Sequence, residues 1–312
     1  MSDTFVHLHL HTEYSLVDST LRLKSLIESV REAGMPAVAV TDQNNLFALV
    51  KFYRLAVTAG IKPIVGADVL LENPDDPTHP ARLVLLCQDR VGYLNLCQLL
   101  SLGYLEGQRH GVPYLQREWV KQHSEGLIAL SGGREGDIGQ ALLNAHPNRA
   151  RQLLDRWMED FPDRFYLELQ RTDREGEAMY EDQVIDLAAL CDCPVVATND
   201  VRFLERTDFD AHEARVCIHD GLLLADQRRE RRYSPEQHLK SPEDMREVFH
   251  DLPEALENAV EIARRCNLEL EFGSYYLPAF PTPEGQSIVD YLRKESAEGL
   301  EELLTAHGTA GE

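Results

Sequence analysis

The sequence predicts an α/β fold in which about seven short parallel strands alternate with helices and close into a barrel. The strands are predicted from seven short apolar runs of the sequence. Each run is only a few residues long, is rich in Val, Ile or Leu, and is bounded by Gly, Pro or charged residues, as buried parallel strands are. No long all-β stretch interrupts the alternation. In order, the runs are "FVHLHL" at 5–10, "PAVAV" at 36–40, "KPIVGADVLL" at 62–71, "RLVLLC" at 82–87, "GLIAL" at 126–130, "FYLELQ" at 165–170 and "PVVAT" at 194–198.

Helical patterns lie between these runs. "STLRLKSLIESVREAG" at 19–34 has a Ser/Thr start, an apolar stripe and a terminating Gly34. "LFALVKFYRLAVTAG" closes on Gly60 in the same manner, and "PNRARQLLDRWMEDF" begins with Pro147, which suits a first helical position. About seven repeats in about 200 residues favour a barrel. An open doubly wound sheet is the alternative, but its usual phosphate-binding turn, G-x-G-x-x-G, is missing after the first run.

The character of the chain changes from about residue 235. "SPEDMREVF" and "LPEALENAVEIARRC" have the pattern of capped helices, and "GSYYLPAFPTPEG" at 273–285 is a Pro-rich, aromatic linker before a last amphipathic helix. We therefore expect a barrel domain over residues 1–272, followed over residues 273–312 by the linker and one helix.

The charge balance excludes several classes of function. The chain has 53 acidic and 31 basic residues, a net charge of −22, so little direct DNA binding is expected because phosphate contacts need clustered Lys and Arg. The one basic run, "DQRRERRY" at 226–233, is interrupted by Glu230 and is interpreted as a solvated loop. No apolar run approaches a membrane span, the first residues do not have the basic, apolar pattern expected of a secretory leader, and six cysteines lack a close-spaced framework. These features predict a cytoplasmic protein.

Three histidines occupy alternate positions of the first run. In a strand, His7, His9 and His11 share one face, where two imidazoles can lean onto one metal ion or a close metal pair. The alternative is a half-buried strand that carries polar residues outward, and for His7 this structural role is the favoured interpretation.

Further polar residues follow the predicted strands, where the chemistry of a parallel barrel is found. Four separate segments deliver a carboxylate or an imidazole to one rim, a convergence that simple solvation does not explain. The four segments are "TDQNN" at 41–45, "GAD" at 66–68, "SGGREGD" at 131–137 and "TNDVR" at 198–202, and they join His9 and His11 at the end of the first run and Asp18 just after it.

Several stretches of the chain resemble a known protein family. "FVHLHLHTEYSLVDS", "GMPAVAVTDQNNLFALVKFYRLAVTAGIKPIVGADV" and "ATNDVRFL" look like the PHP (polymerase and histidinol phosphatase) domain of bacterial replicative polymerases. "HLKSPEDM" and "LPAFPTPEGQSIVDYL" resemble the same polymerases, the alpha subunits of DNA polymerase III. The resemblance implies a distorted seven-stranded (β/α) barrel, with the last helix as the first of the polymerase core.

The resemblance also implies a cluster of up to three metals held by nine residues. His9, His11, Asp18 and Asp200 match the family pattern, and Asp68 stands where the family usually has Glu. Four positions depart from it: Gln43, Arg82 and Arg202 each replace a His, and Gly133 replaces a Cys.

Those departures remove ligands and add charge. A permanently protonated Arg cannot coordinate a metal, but it can pair with the carboxylates that the metals would have covered. We therefore expect Arg82 and Arg202 to pair with Asp18, Asp68 and Asp200. No catalytic residue and no fully occupied metal site are expected, with Zn²⁺ or Mn²⁺ at low occupancy as the remaining cofactor.

Three functions follow from the resemblance. The first is an inactive N-terminal part of a DNA-directed DNA polymerase, a nucleotidyltransferase, acting as a scaffold within the replicase holoenzyme. It would join the rest of the alpha chain and dock the proofreading exonuclease (epsilon) subunit. The alternative is a metal-dependent phosphoesterase or 3′–5′ exonuclease that uses a residual metal site. A third, a free-standing histidinol-phosphatase-like enzyme, is disfavoured by the polymerase-like linker.

Overall fold

The protein is described here by a computed structural model that covers residues 4–73, 79–226, 228–275, 277, 280–283 and 285–307. It divides into two units, residues 1–269 and residues 270–312. Within the described residues, no helix is both long and apolar enough to cross a membrane.

The first unit is a mixed α/β domain around one six-stranded sheet. The sheet order is β1-β2-β3-β6-β7-β8, and β4 and β5 form a separate two-stranded ribbon. The strands are β1 (Ala37–Val40), β2 (Lys62–Leu71), β3 (Ala81–Cys87), β4 (Gln108–Arg109), β5 (Val112–Pro113), β6 (Leu127–Leu130), β7 (Phe165–Gln170) and β8 (Val195–Thr198).

Helices cover the sheet and connect its strands. In this unit they are α1 (Leu23–Glu32), α2 (Leu49–Thr58), α3 (Arg90–Leu105), α4 (Arg117–Gln122), α5 (Asp137–Leu143), α6 (Pro147–Asp160), α7 (Glu177–Cys191), α8 (Phe209–Asp220), α9 (Pro242–Val248) and α10 (Pro253–Arg265). Short 3-10 turns span Glu13–Ser15, Gly133–Glu135 and Arg206–Asp208. In the second unit, α11 spans Ile288–His307. Four residues of the predicted linker (276, 278, 279 and 284) lie outside the described residues.

Most of the predicted elements form where their sequence patterns place them. Gly34 and Gly60 follow α1 and α2 with φ of +67° and +75°, a left-handed conformation that glycine adopts without steric cost. Pro147 opens α6, and Ser241 caps α9 in a capping box with Asp244. The predicted Ser/Thr start of α1 is wrong. The helix begins at Leu23 without a side-chain cap, and the Ser19 hydroxyl lies outside it, 2.7 Å from the carbonyl oxygens of both His11 and Arg202.

The first predicted strand is not a regular strand. Between residues 4 and 10 only Leu10 forms a bridge, to Val201. The segment nevertheless lies at the seventh strand position. The N–H groups of Ala39 and Thr41 donate to His7 and Leu10 on one side, and His9 and His11 exchange backbone bonds with Val201 on the other. This pairing joins β1 to the chain that follows β8 and closes the sheet into a ring.

The prediction of an entirely parallel sheet is wrong at β3. The pairs β1–β2, β6–β7 and β7–β8 are parallel, but β3 runs antiparallel to both β2 and β6. The reason lies in the connection, because only residues 72–80 separate β2 from β3, too few for a helical crossover. The reversal brings the start of β3 to the rim where the neighbouring parallel strands end.

Candidate functional site

The histidine-bearing segment delivers two imidazoles to a cluster of buried carboxylates. His9 Nδ1 lies 2.7 Å from Glu168 Oε1, and its Nε2 lies 3.4 Å from both Asp68 Oδ2 and Asp200 Oδ1. His11 Nε2 lies 3.1 Å from Asp68 Oδ2. All five side chains are almost completely buried, so each contact lies in a low-dielectric interior.

His7 takes no part in this cluster. Its Nε2 lies 2.8 Å from the carbonyl oxygen of Lys240, and its ring packs edge-on against Phe5. Burial lowers the pKa of His7 to about 4, so the ring is neutral at pH 7. These contacts give His7 a structural role and separate it from the other two histidines.

Arg202 lies between two of the carboxylates. It follows β8 in the loop that carries Asp200, a residue with a φ of +44°. The Arg202 guanidinium is fully buried, pairs with Asp18, and donates from Nε to Asp200 Oδ1 at 2.8 Å. Arg202 Nη1 also lies 2.8 Å from His11 Nδ1. Because arginine has only donors, that ring nitrogen acts as the acceptor in this contact.

Arg82 is the second arginine that contacts the carboxylates of the cluster. It stands at the second position of β3 and reaches the rim because that strand is antiparallel. Its guanidinium pairs with Asp68, donates from Nε to Glu135 at 2.8 Å, and lies 3.8 Å from Asp18. The three carboxylates Asp18, Asp68 and Asp200 therefore all lie within pairing distance of an arginine.

These ion pairs decide the protonation of the cluster. Burial by itself would raise the pKa of Asp18, Asp68 and Asp200, but the guanidinium groups outweigh it and hold each pKa well below its usual range. Burial would likewise lower the pKa of His9, but the charges of Glu168 and Asp200 and the contact with Asp68 outweigh it and raise that pKa to about 10. The two guanidinium groups therefore favour the ionised forms of Asp18, Asp68 and Asp200, and the carboxylates favour the protonated form of His9.

The remaining predicted positions lie around the cluster. Gln43 forms a bridge with Asp68, and its N–H donates to Ser15 Oγ at 3.1 Å. Gly133 is buried with a φ of +59°, and a Cβ placed there would meet Gln170 Oε1 at 3.1 Å. The expectation that "GAD" ends a strand is wrong, because Asp68 lies inside β2, which continues to Leu71.

Sequence reasoning missed several members of the cluster. Glu168 and Gln170 project from β7, Arg174 binds Asp200 at 3.1 Å, and Tyr233 donates to Asp18 at 3.2 Å. A signal existed for the two β7 residues, because they alternate with Leu in "FYLELQ" as the histidines do in the first run. Arg174 and Tyr233 lie in loops, and no local pattern distinguishes them.

The donor atoms of His9, His11 and Asp68 lie within 4.8 Å of one another, the spacing of a set that could hold one metal ion. His9 Nε2 and Asp68 Oδ1 are buried without a hydrogen-bond partner within the described part of the chain. Arg82, however, already pairs with Asp68, and Arg202 contacts His11. The geometry therefore offers three ligands to one ion, in competition with two fixed positive charges.

Comparison with known proteins gives close relatives. The chain is 55% identical to "DNA polymerase III subunit alpha" of Pseudomonas aeruginosa over 304 residues, 97% of this chain and 26% of the relative. It is 48% identical to the protein of the same name from Escherichia coli K12 over 303 residues, 96% of this chain and 26% of the relative. The chain thus spans about a quarter of the length of these curated relatives.

A solved structure of an amidohydrolase from Chromobacterium violaceum aligns with 67% of this chain at 14% identity, with a TM-score of 0.44. The PHP domain family matches residues 7–172. That match covers more than half of the 312 residues and includes His9, His11, Asp18 and Asp68 of the cluster, so the chain belongs to the PHP domain family.

Proposed function

We propose that the chain is the PHP domain region of a bacterial replicative DNA polymerase, the alpha subunit of DNA polymerase III, and that it serves the replicase as a scaffold without chemistry of its own. The identities of 48–55% to polymerase alpha subunits over nearly the whole chain support this assignment. The DNA-directed polymerase activity would belong to the rest of the alpha chain, and the cytoplasm would be its compartment.

The observation that carries the inactive role is the position of the two arginines. A hydrolytic metal cluster needs neutral imidazoles, carboxylates and an open position for water. Here Arg82 and Arg202 lie on the carboxylates Asp18, Asp68 and Asp200, where they neutralise charge but cannot coordinate. The residues present therefore do not fit a cluster of two or three metals, and the ion pairs take its place.

The same domain would dock the proofreading exonuclease (epsilon) subunit within the holoenzyme. A net charge of −22 is unsuited to gripping a phosphate backbone and leaves a protein surface as the more suitable partner. The test is isothermal titration calorimetry of the 312-residue chain with the cognate exonuclease subunit at micromolar concentrations. Heat of binding with a defined stoichiometry is expected, and its absence would refute the docking role.

A second candidate function is that of a metal-dependent phosphoesterase or 3′–5′ exonuclease. The observation that favours it is the set of His9, His11 and Asp68, in which His9 Nε2 and Asp68 Oδ1 are buried without a hydrogen-bond partner among the described residues. An ion held there would supply Lewis-acid chemistry. Glu168 would orient His9 through Nδ1, as carboxylates do behind metal-bound histidines.

Metal titration followed by a nuclease assay separates the two candidates. The scaffold role predicts no saturable Zn²⁺ or Mn²⁺ binding and no release of 3′ nucleotides. Saturable binding of one ion that is abolished in His9→Gln, together with hydrolysis lost in the same variant, would establish the second candidate instead.

A further inference from the structure

The longest helix of the first unit, α3, presents an uncharged row of side chains to solvent. The row is called the α3 seam below and consists of Val91, Leu94, Gln98, Ser101 and Leu105, which are all exposed and follow one another at intervals of three and four residues. No charged residue follows Arg90 within the helix, although 27% of the chain is charged. A stripe of this kind, with exposed aliphatic side chains and no charge, is typical of an interaction face.

A groove beside the α3 seam widens this surface. It has a volume of about 380 Å³, and its walls include Leu100, Tyr104 and Leu105 from α3 and Phe47 from the segment before α2. Phe47 is 61% exposed, so the groove is open to the side chains of a partner. The face is about 24 Å long, from 16 residues at about 1.5 Å each, and about 20 Å wide for two helices. Two such faces together bury about 1,000 Å², the lower limit for a specific protein–protein interface.

The pattern of the α3 seam is symmetrical about Gln98. Val91 and Leu105 lie seven residues before and after it, and Arg90 and Glu106 lie eight residues before and after it. In an antiparallel pair of α3 helices with a two-fold axis at Gln98, Val91 of each copy therefore meets Leu105 of the other, and Arg90 meets Glu106. An amide has both a donor and an acceptor, so the two Gln98 side chains can bond each other across the axis, where an ionised side chain would meet its own charge.

Arg90 and Glu106 are available for these contacts. Both side chains are exposed, and neither forms an ion pair within the described part of the chain. With a net charge of −22, two copies repel each other over most of their surfaces. The α3 seam provides an approach without acidic residues, and an opposite-charge pair would close each of its ends.

We propose that the α3 seam is a self-association surface, at which two copies of this chain pair through antiparallel α3 helices. The placement of charge is the reason for a second copy, because one arrangement satisfies both ends of the seam at once. A parallel arrangement would place Arg90 against Arg90 and is less favourable. Nucleic acid is a poorer occupant, because Arg90 is the one basic residue of α3. The small buried area predicts a weak dimer that forms at roughly 10–100 µM. This inference does not depend on the proposed function.

Sedimentation velocity of the 312-residue chain over about 1–300 µM tests the association. We expect a monomer at the lowest concentrations and a dimer at the highest. Leu94→Glu places a carboxylate within the seam and should weaken the dimer at least about tenfold. Leu292→Glu is the matched control, because Leu292 is 64% exposed, compared with 54% for Leu94, but lies on α11 in the second unit. That variant should dimerise like the unmodified chain.

Charge reversal tests the antiparallel register. Arg90→Glu or Glu106→Arg alone should weaken the dimer by about three- to tenfold, because the two-fold axis turns both attractive pairs into repulsive ones. The double variant restores opposite charges and should dimerise within about twofold of the unmodified chain. Both substitutions also suit the helix dipole, with an acid at the start of α3 and a base at its end, so the fold should be retained.

The other outcomes would each overturn the inference. They include a chain that stays monomeric at every concentration and a dimer that survives Leu94→Glu. Loss of the dimer in Leu292→Glu alone would assign the association to α11, and a double variant that does not regain it would refute the antiparallel register. A monomeric chain in which Leu94→Glu abolishes calorimetric binding of the exonuclease subunit would assign the α3 seam to a different occupant.

Discussion

Replacing Arg202 by alanine tests whether the buried ion pairs stabilise the domain. The side chain is 1% exposed and contacts Asp18, Asp200 and His11. Removing one partner of a buried pair costs about 3–5 kcal/mol, because a charge is left buried without compensation. Asp18 would retain Arg82 at 3.8 Å, and Asp200 would retain Arg174 at 3.1 Å, so the lower end of that range is expected.

A loss of about 3 kcal/mol corresponds to a fall in melting temperature of roughly 6–12 °C for a domain of this size. Thermal unfolding followed by circular dichroism measures it. Arg206→Ala is the matched control. Arg206 pairs with Glu236 at 2.8 Å but its side chain is 68% exposed, and surface pairs contribute about 0–1 kcal/mol. If Arg202→Ala and Arg206→Ala melt at the same temperature as the unmodified chain, the ion pairs do not stabilise the domain and the reasoning fails.

Three further outcomes are expected. Purified chain should contain substoichiometric Zn²⁺ and Mn²⁺ by plasma mass spectrometry, and EDTA should leave its melting temperature unchanged; a full ion per chain would contradict the proposed replacement of metal by arginine. The free energy of unfolding in urea should fall by a few kcal/mol as the pH rises from about 7 to 10. His9 has a folded pKa raised to about 10 and an unfolded pKa of about 6.5, so the stability that its protonated ring contributes is complete below the unfolded pKa and is lost as the pH rises toward the folded pKa. His9→Gln should flatten that slope, and an equally steep slope in the variant would show that other groups cause it. Gly133→Cys should destabilise the domain by about 1–2 kcal/mol, because a side chain there would adopt a φ of +59° and press on Gln170; unchanged urea unfolding would show that the loop relaxes without cost.

The alternation of strands and helices was predictable because it depends on local patterns. Each apolar run from "PAVAV" to "PVVAT" contains a strand of the sheet. The direction of β3 was not predictable from its own residues, because an apolar run such as "RLVLLC" fits a parallel or an antiparallel strand equally well. Only the short connection of residues 72–80 carries that information, and its effect is to bring Arg82 to the rim.

The site was predictable where motif and strand periodicity coincide. His9, His11 and Asp68 meet as the alternating pattern and the family resemblance imply. Glu135 and Arg174 enter from loops, and their contacts depend on how those loops fold over the sheet, a long-range property that no local window contains. The first run illustrates the same limit. Its hydrogen bonds go to Ala39 on one side and Val201 on the other, so that tertiary pairing rather than strand propensity determines its conformation.

The buried guanidinium of Arg202 has a consequence for how the domain responds to its surroundings. A bound ion stabilises a fold by an amount that grows with the logarithm of its free concentration, so a metal-dependent fold weakens whenever that ion becomes scarce. Arg202 is synthesised with the chain, is present once per molecule, and keeps its charge at every physiological pH. The part of the stability that comes from its pairs with Asp18 and Asp200 is therefore independent of trace-metal supply and of competition from chelators.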